Sequence, residues 1–114
     1  IDFRNLIIII GTSSDKDIPG IVEELAPGVH LAIATRAKHP RAADPDLLAQ
    51  EFTRRGVRAE TTEDVPEAVA RAKTLASVND VICATGSLFV VAEVIEQVTG
   101  LRNPDAFSDY HGSP

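Results

Sequence analysis

Three short stretches of this sequence combine residue types that can bind an anion. Thr85-Gly86-Ser87 stands between an apolar run and a helical pattern, and so does Gly11-Thr12-Ser13-Ser14-Asp15-Lys16-Asp17. A turn in that position opens a helix, whose first N–H groups lack intrahelical acceptors and carry a partial positive charge. In Thr85-Gly86-Ser87 the glycine lets the backbone approach a ligand closely. The serine can cap the helix and still donate to a carboxylate, although a plain N-cap explains it equally well. Asp15-Lys16-Asp17 suits a metal or a phosphate, or else ordinary complementation of the helix dipole with Lys16 bridging to a neighbouring segment. The third stretch, Thr35-Arg36-Ala37-Lys38-His39-Pro40-Arg41, gathers three cations and a histidine. Its default reading is a solvated loop, and its alternative is a contact with phosphate or a partner domain.

Much catalytic equipment is missing. Neither G-x-x-x-x-G-K-[ST] nor G-x-G-x-x-G occurs, so both standard phosphate cradles are absent. His30, His39 and His111 are dispersed without metal-ligand spacing. Cys83 lies inside an apolar run and reads as inert packing, and no Ser/His/acid set can be assembled. No catalytic or metal-ligating residue is assigned.

The elements that must position these stretches follow from periodicity. Leu6-Ile7-Ile8-Ile9-Ile10 is a β-branched run without polar alternation, which suits a strand covered on both faces of a parallel sheet. Ile18, Ile21, Val22 and Leu25 fall at helical spacing, and Pro19 confines the helix start to about Lys16 or Asp17. Pro27-Gly28 stops it. Val29 to Thr35 is a second apolar strand, and Pro45 begins a helix whose buried stripe is Leu47, Leu48, Ala49 and Phe52. Val57 to Thr61 is shorter and more polar, as an edge strand would be. Asp64 caps a third helix carrying Val65, Ala68, Val69, Ala72 and Leu75. Val81-Ile82-Cys83-Ala84 reads as another buried strand, followed by a helix over 88–98 closed by Gly100. The pattern βαβαβαβα predicts an α/β fold: a three-layer, Rossmann-like domain with a mainly parallel sheet of strand order 3-2-1-4. Residues 1–100 form that domain, and residues 101–114 read as a polar tail.

Composition agrees with one soluble domain. The 114 residues are 44% hydrophobic and 25% charged, enough to build a core without staples. A net charge of −6 argues against nucleic acid as a partner. The lone cysteine and the lack of a membrane-length apolar run or signal pattern lead to the expectation of a cytoplasmic protein that does not enter the membrane.

One family shares these motifs in this order. Ile-Ile-Ile-Ile-Gly11, Asp15-Lys16-Asp17, Thr35 with Pro40-Arg41-Ala42, and the segment from Asp80 to Val94 with Gly86-Ser87 and the helical acid Glu93 together resemble a known domain. It is the C-terminal domain of folylpolyglutamate synthase/dihydrofolate synthase, of the Mur ligase superfamily. The resemblance runs from about Leu6 to Val98. It implies an ATP-dependent ligase that joins glutamate to a folate or dihydropteroate carboxyl through an acyl phosphate. It further implies that ATP and Mg2+ are held mainly by an N-terminal P-loop domain that this segment lacks, and that this domain closes over them. By the same resemblance Thr85, Gly86 and Ser87 receive the glutamate carboxylate, while Asp15, Lys16 and Arg41 contact the ATP side or the neighbouring domain. The family's D-G-A-H-N-P-type segment, which precedes the first strand, is absent from the sequence. The expectation is a fragment, inactive alone.

Two other readings compete. The opening Ile-Ile-Ile-Gly11-Thr12-Ser13-Ser14-Asp15 also resembles the aminoimidazole ribonucleotide carboxylase/mutase family, but the later chain lacks that family's glycine- and alanine-rich loop. A stand-alone α/β binding or regulatory module is the non-catalytic alternative, without the clustered aspartates of a receiver-like phosphoacceptor site.

Overall fold

Four consecutive isoleucines, Ile7 to Ile10, have no polar face to turn outward, and the fold gives them none. They form the centre of β1 (Leu6–Gly11) in a computed structural model that describes residues 5–100. β1 lies between β2 (Leu31–Ala34) and β4 (Val81–Gly86), with β3 (Arg58–Thr61) beyond β2. All pairings are parallel, and the order is β3-β2-β1-β4, as the periodicity predicted. The helices α1 (Ile18–Leu25), α2 (Pro45–Arg54), α3 (Val65–Leu75) and α4 (Leu88–Thr99) alternate with the strands.

Alternation along β1 divides the interior into two cores. Ile8 and Ile10 pack with Ala32, Ala34, Ile18, Val22, Leu48 and Phe52 under α1 and α2. Ile7 and Ile9 pack with Leu31, Ile33, Val65, Ala68, Val69, Ala72 and Val90 under α3 and α4. Phe52 is fully buried, and such burial stabilises by roughly 1.5–3 kcal/mol. β2 is shorter than the expected 29–35, but its ladder continues. The His30 N–H donates to the Leu6 carbonyl and the Thr35 N–H to the Ile10 carbonyl, both at 2.9 Å.

Helix starts obey their local chemistry. Asp17, Asp44, Asp64 and Ser87 are the N-caps, each accepting from a first-turn N–H, and prolines occupy the first or second position of α1, α2 and α3. Gly100, at φ 77°, closes α4 in the left-handed conformation that favours glycine. At the β3 edge, Glu60 takes a two-pronged bond from Arg71 of α3, with contacts of 2.7 and 3.2 Å.

One expectation is overturned. The run Val81–Ala84 was expected to be buried on both faces, yet among the described residues β4 pairs only with β1 and forms the second edge of the sheet. Ile82 is 40% exposed, and Cys83 is an exposed free thiol, not inert packing. Register explains the exposed thiol. Cys83 is level with Ile8 and shares the α1/α2 side, where the helices cover β1 to β3 and leave β4 bare. The expected tail over residues 101–114 lies outside the described residues. Among the described residues, no helix is long and apolar enough to cross a membrane.

Candidate functional site

Parallel strands deliver their carboxyl ends to one side of the sheet, and the connections there reverse direction between β1 and β4. In open α/β sheets this switch point is where ligands lodge. A cleft of about 490 Å³ occupies it. Three loops form its walls: 12–17 after β1, 35–44 after β2, and the turn at Gly86-Ser87 after β4.

The first two loops are stitched together. The Ser14 N–H donates to the Arg41 carbonyl at 2.7 Å and the Ala43 N–H to the Thr12 carbonyl at 2.9 Å, around an antiparallel bridge between Ser13 and Ala42. This places Asp15 and Lys16 beside Arg41. The Asp15 carboxyl is held below its usual range, chiefly by the Ser13 hydroxyl and then by its own backbone N–H, with Lys16 and Arg41 adding to the effect. It is therefore an anion at neutral pH. Among the described residues, Arg36, Arg54, Arg55, Arg58 and Arg71 have carboxylate partners within 4 Å, while Lys16, Lys38, Arg41 and, away from the cleft on α3, Lys73 have none.

The floor is built from backbone. Gly11 and Gly86 are level with each other at the ends of β1 and β4. Gly86 has φ 104°, and a Cβ there would run into the Gly11 carbonyl; a Cβ on Gly11 would lie 2.7 Å from both the Thr35 carbonyl oxygen and Val90 Cγ2. Glycine is required at both positions, for conformation at Gly86 and for space at each. Just beyond, the Ser87 hydroxyl accepts from the Val90 N–H at 3.0 Å, which leaves its own proton for another acceptor. α4 is the only described helix with neither an acidic N-cap nor, as in α2 and α3, an acidic first turn; α1, α2 and α3 are all capped by aspartate. Its positive end is complemented by no acidic side chain in the cap or first turn.

Of the residues singled out from sequence, the structure brings Asp15, Lys16, Arg41, Gly86 and Ser87 to this one cleft. Thr85 stands one residue back, paired with Ile10 in the sheet. Sequence reasoning missed the wall between the second loop and α4. There the His39 ring stacks on Phe89 with centroids 4.4 Å apart, and the Lys38 N–H donates to Glu93 Oε2 at 2.8 Å. Those partners are separated by about fifty residues and give no periodic signal. Thr35 holds a fully buried hydroxyl oxygen with no hydrogen-bond partner in the structure. No group of three or more His, Cys, Asp or Glu among the described residues could hold a metal ion.

An open parallel sheet with a cleft at its switch point defines the ligand-binding α/β class. Within that class, the chain belongs to the Mur ligase, glutamate ligase domain family, which it matches over residues 1–88. A curated relative, the probable bifunctional folylpolyglutamate synthase/dihydropteroate synthase of Haloferax volcanii, is 36% identical over 93 residues, covering 81% of this chain and 11% of that protein. E. coli FolC in complex with DHPP and ADP has the same fold, at a TM-score of 0.79 and 24% identity over 90% of this chain and 24% of that one. A bifunctional folylpolyglutamate synthase/dihydrofolate synthase with Mn, AMPPNP and L-glutamate bound is 27% identical, with a TM-score of 0.71 over 83% of this chain and 22% of that one. The chain thus spans about a tenth of the curated relative's length and about a quarter of each solved chain. The family match displaces the mutase alternative.

Proposed function

We infer that this chain is the glutamate-binding, closing domain of an ATP-dependent ligase that adds glutamate to a folate or dihydropteroate carboxyl. The observation that carries the reading is the convergence of Ser87, Lys16, Arg41 and Asp15 on one cleft at the switch point. An amino acid with two carboxylates and an ammonium group requires that mixture. The α4 N-terminus with Ser87 takes one carboxylate, Lys16 and Arg41 take the other, and the anionic Asp15 faces the amine. This assignment moves Asp15, Lys16 and Arg41 from the ATP side to the amino-acid side of the site.

ATP and its divalent metal fit poorly on this chain, which has no phosphate cradle in its sequence and no metal-holding cluster among its described residues. In this reading they belong to the P-loop domain of the longer polypeptide. This domain's task is to bind and orient glutamate and, on closing, to keep water from the activated carboxyl. Alone it is inactive. Residues 1–100 are its extent and 101–114 a tail, and its single thiol suits the reducing cytoplasm. The curated relative pairs the ligase with dihydropteroate synthase and the solved structure with dihydrofolate synthase; assaying both second activities on the full polypeptide separates these pairings.

The test is substitution at Ser87 in the full polypeptide. Ser87→Ala raises the glutamate KM more than the ATP KM. Ser87→Asp is worse, because it fixes a negative charge where a carboxylate must lie. Equal activity of the two variants would sink the anion-site assignment.

A further inference from the structure

Arg41 is the one arginine of the cleft, and its backbone is held from both sides. Its N–H donates to His39 Nδ1 at 3.2 Å, and its carbonyl accepts from the Ser14 N–H. The turn around it is closed by the Ala42 N–H donating to the His39 carbonyl at 3.1 Å. What anchors this turn to the rest of the fold on the α4 side is a pair of side chains four residues apart, Phe89 and Glu93. At that spacing they share one face of the helix. Phe89 stacks on the His39 ring, and the Glu93 carboxylate accepts the Lys38 N–H at 2.8 Å. A bond from a backbone N–H to an ionised carboxylate is stronger than its neutral counterpart. Both anchors act on residues two or three positions before Arg41.

We propose that Glu93 is a positioning residue of the cleft: by holding the Lys38 amide it fixes the 38–41 turn, and with it the Arg41 guanidinium, for the carboxylate of the incoming amino acid. The inference rests on the glutamate-binding reading and adds a residue that does not itself touch substrate. It also explains why an acid stands in the otherwise apolar stretch Leu88-Phe89-Val90-Val91-Ala92-Glu93-Val94-Ile95. The acid's partner is a backbone group of another loop, so its role is geometric. An amide oxygen in the same place would serve.

The full-length polypeptide provides the test, with glutamate-dependent ATP turnover and hydrogen exchange at the Lys38 amide as paired readouts. Glu93→Ala removes a charge-assisted bond, so the glutamate KM rises about tenfold while kcat stays within about threefold of the parent, and Lys38 exchange accelerates by about tenfold or more. Glu93→Gln retains an acceptor and stays within about threefold in all three quantities. A Gln variant as impaired as Ala overturns the proposal, because charge and not the hydrogen bond would then matter. Unchanged Lys38 exchange in Glu93→Ala overturns it at the structural step. Arg41→Ala with an unchanged glutamate KM overturns the amino-acid assignment of the cleft, whatever Lys38 does. The two failures are therefore distinguishable.

Discussion

Substituting Gly86 by alanine separates two kinds of cost that usually come together. The first is conformational: at φ 104°, Gly86 sits where L-residues are strained, at about 1–3 kcal/mol. The second is steric, because the new methyl would overlap the Gly11 carbonyl across the β1–β4 pair. Backbone cannot rotate aside as a side chain can, so the strand ends must part, at an overpacking cost of about 1–3 kcal/mol. The total is about 2–6 kcal/mol. Gly56 is the control. It has φ 78°, but nothing lies within 4 Å of the position a Cβ would take. Gly56→Ala therefore bears only the left-handed penalty of about 1–2 kcal/mol. Urea unfolding compares the two directly, since a denaturant slope of about 1–3 kcal/mol/M turns a 2–3 kcal/mol difference into a midpoint gap on the order of 1 M. If Gly86→Ala costs no more than Gly56→Ala, the tight glycine floor of the cleft is not as described.

Two further outcomes follow from the edges of the sheet. Arg71 holds the Glu60 carboxyl below its usual range, ahead of a smaller contribution from Arg58. A depressed folded-state value means that the stabilisation is complete above the unfolded value of about 4.3 and is lost as pH falls through the folded one. Glu60→Gln accordingly lowers the melting temperature at neutral pH and converges with the parent in strong acid; a constant gap across pH would refute the pairing. On the opposite edge, the exposed Cys83 of the native chain reacts with a thiol reagent without prior unfolding, and a rate that rises only on adding denaturant would contradict its placement.

The legible parts of the sequence were those governed by local rules. Ile7 to Ile10 announced a central strand, Pro19 and Asp64 their helix starts to within a residue or two, and Gly56 and Gly100 the helix ends. Strand order followed because alternating elements leave few parallel arrangements. Val81–Ala84 misled for a physical reason. An apolar run records that a strand has residues to bury, and here the described segment supplies no cover on one side. Asp15, Lys16, Arg41 and Ser87 meet in one cleft because loops at strand carboxyl ends converge by topology alone. The contacts of Phe89 and Glu93 with the second loop were invisible. Their partners His39 and Lys38 are brought to them only by the packed fold, and no spacing encodes that meeting.

The position of β4 has a consequence for how sharply the cleft is defined. Among the described residues, the strand that ends in Gly86 and leads into Ser87 has ladder bonds on one side only. Edge strands open locally at a lower free energy than central ones, so one of the two edges through which fluctuations enter this sheet is the element that bears the turn at Gly86-Ser87. Loop 12–17 grows from the central strand and shares none of that looseness. The two walls of the cleft thus differ in stiffness. Any segment or partner that pairs with β4 tightens the turn at Gly86-Ser87, and so improves the fit for a ligand it never touches.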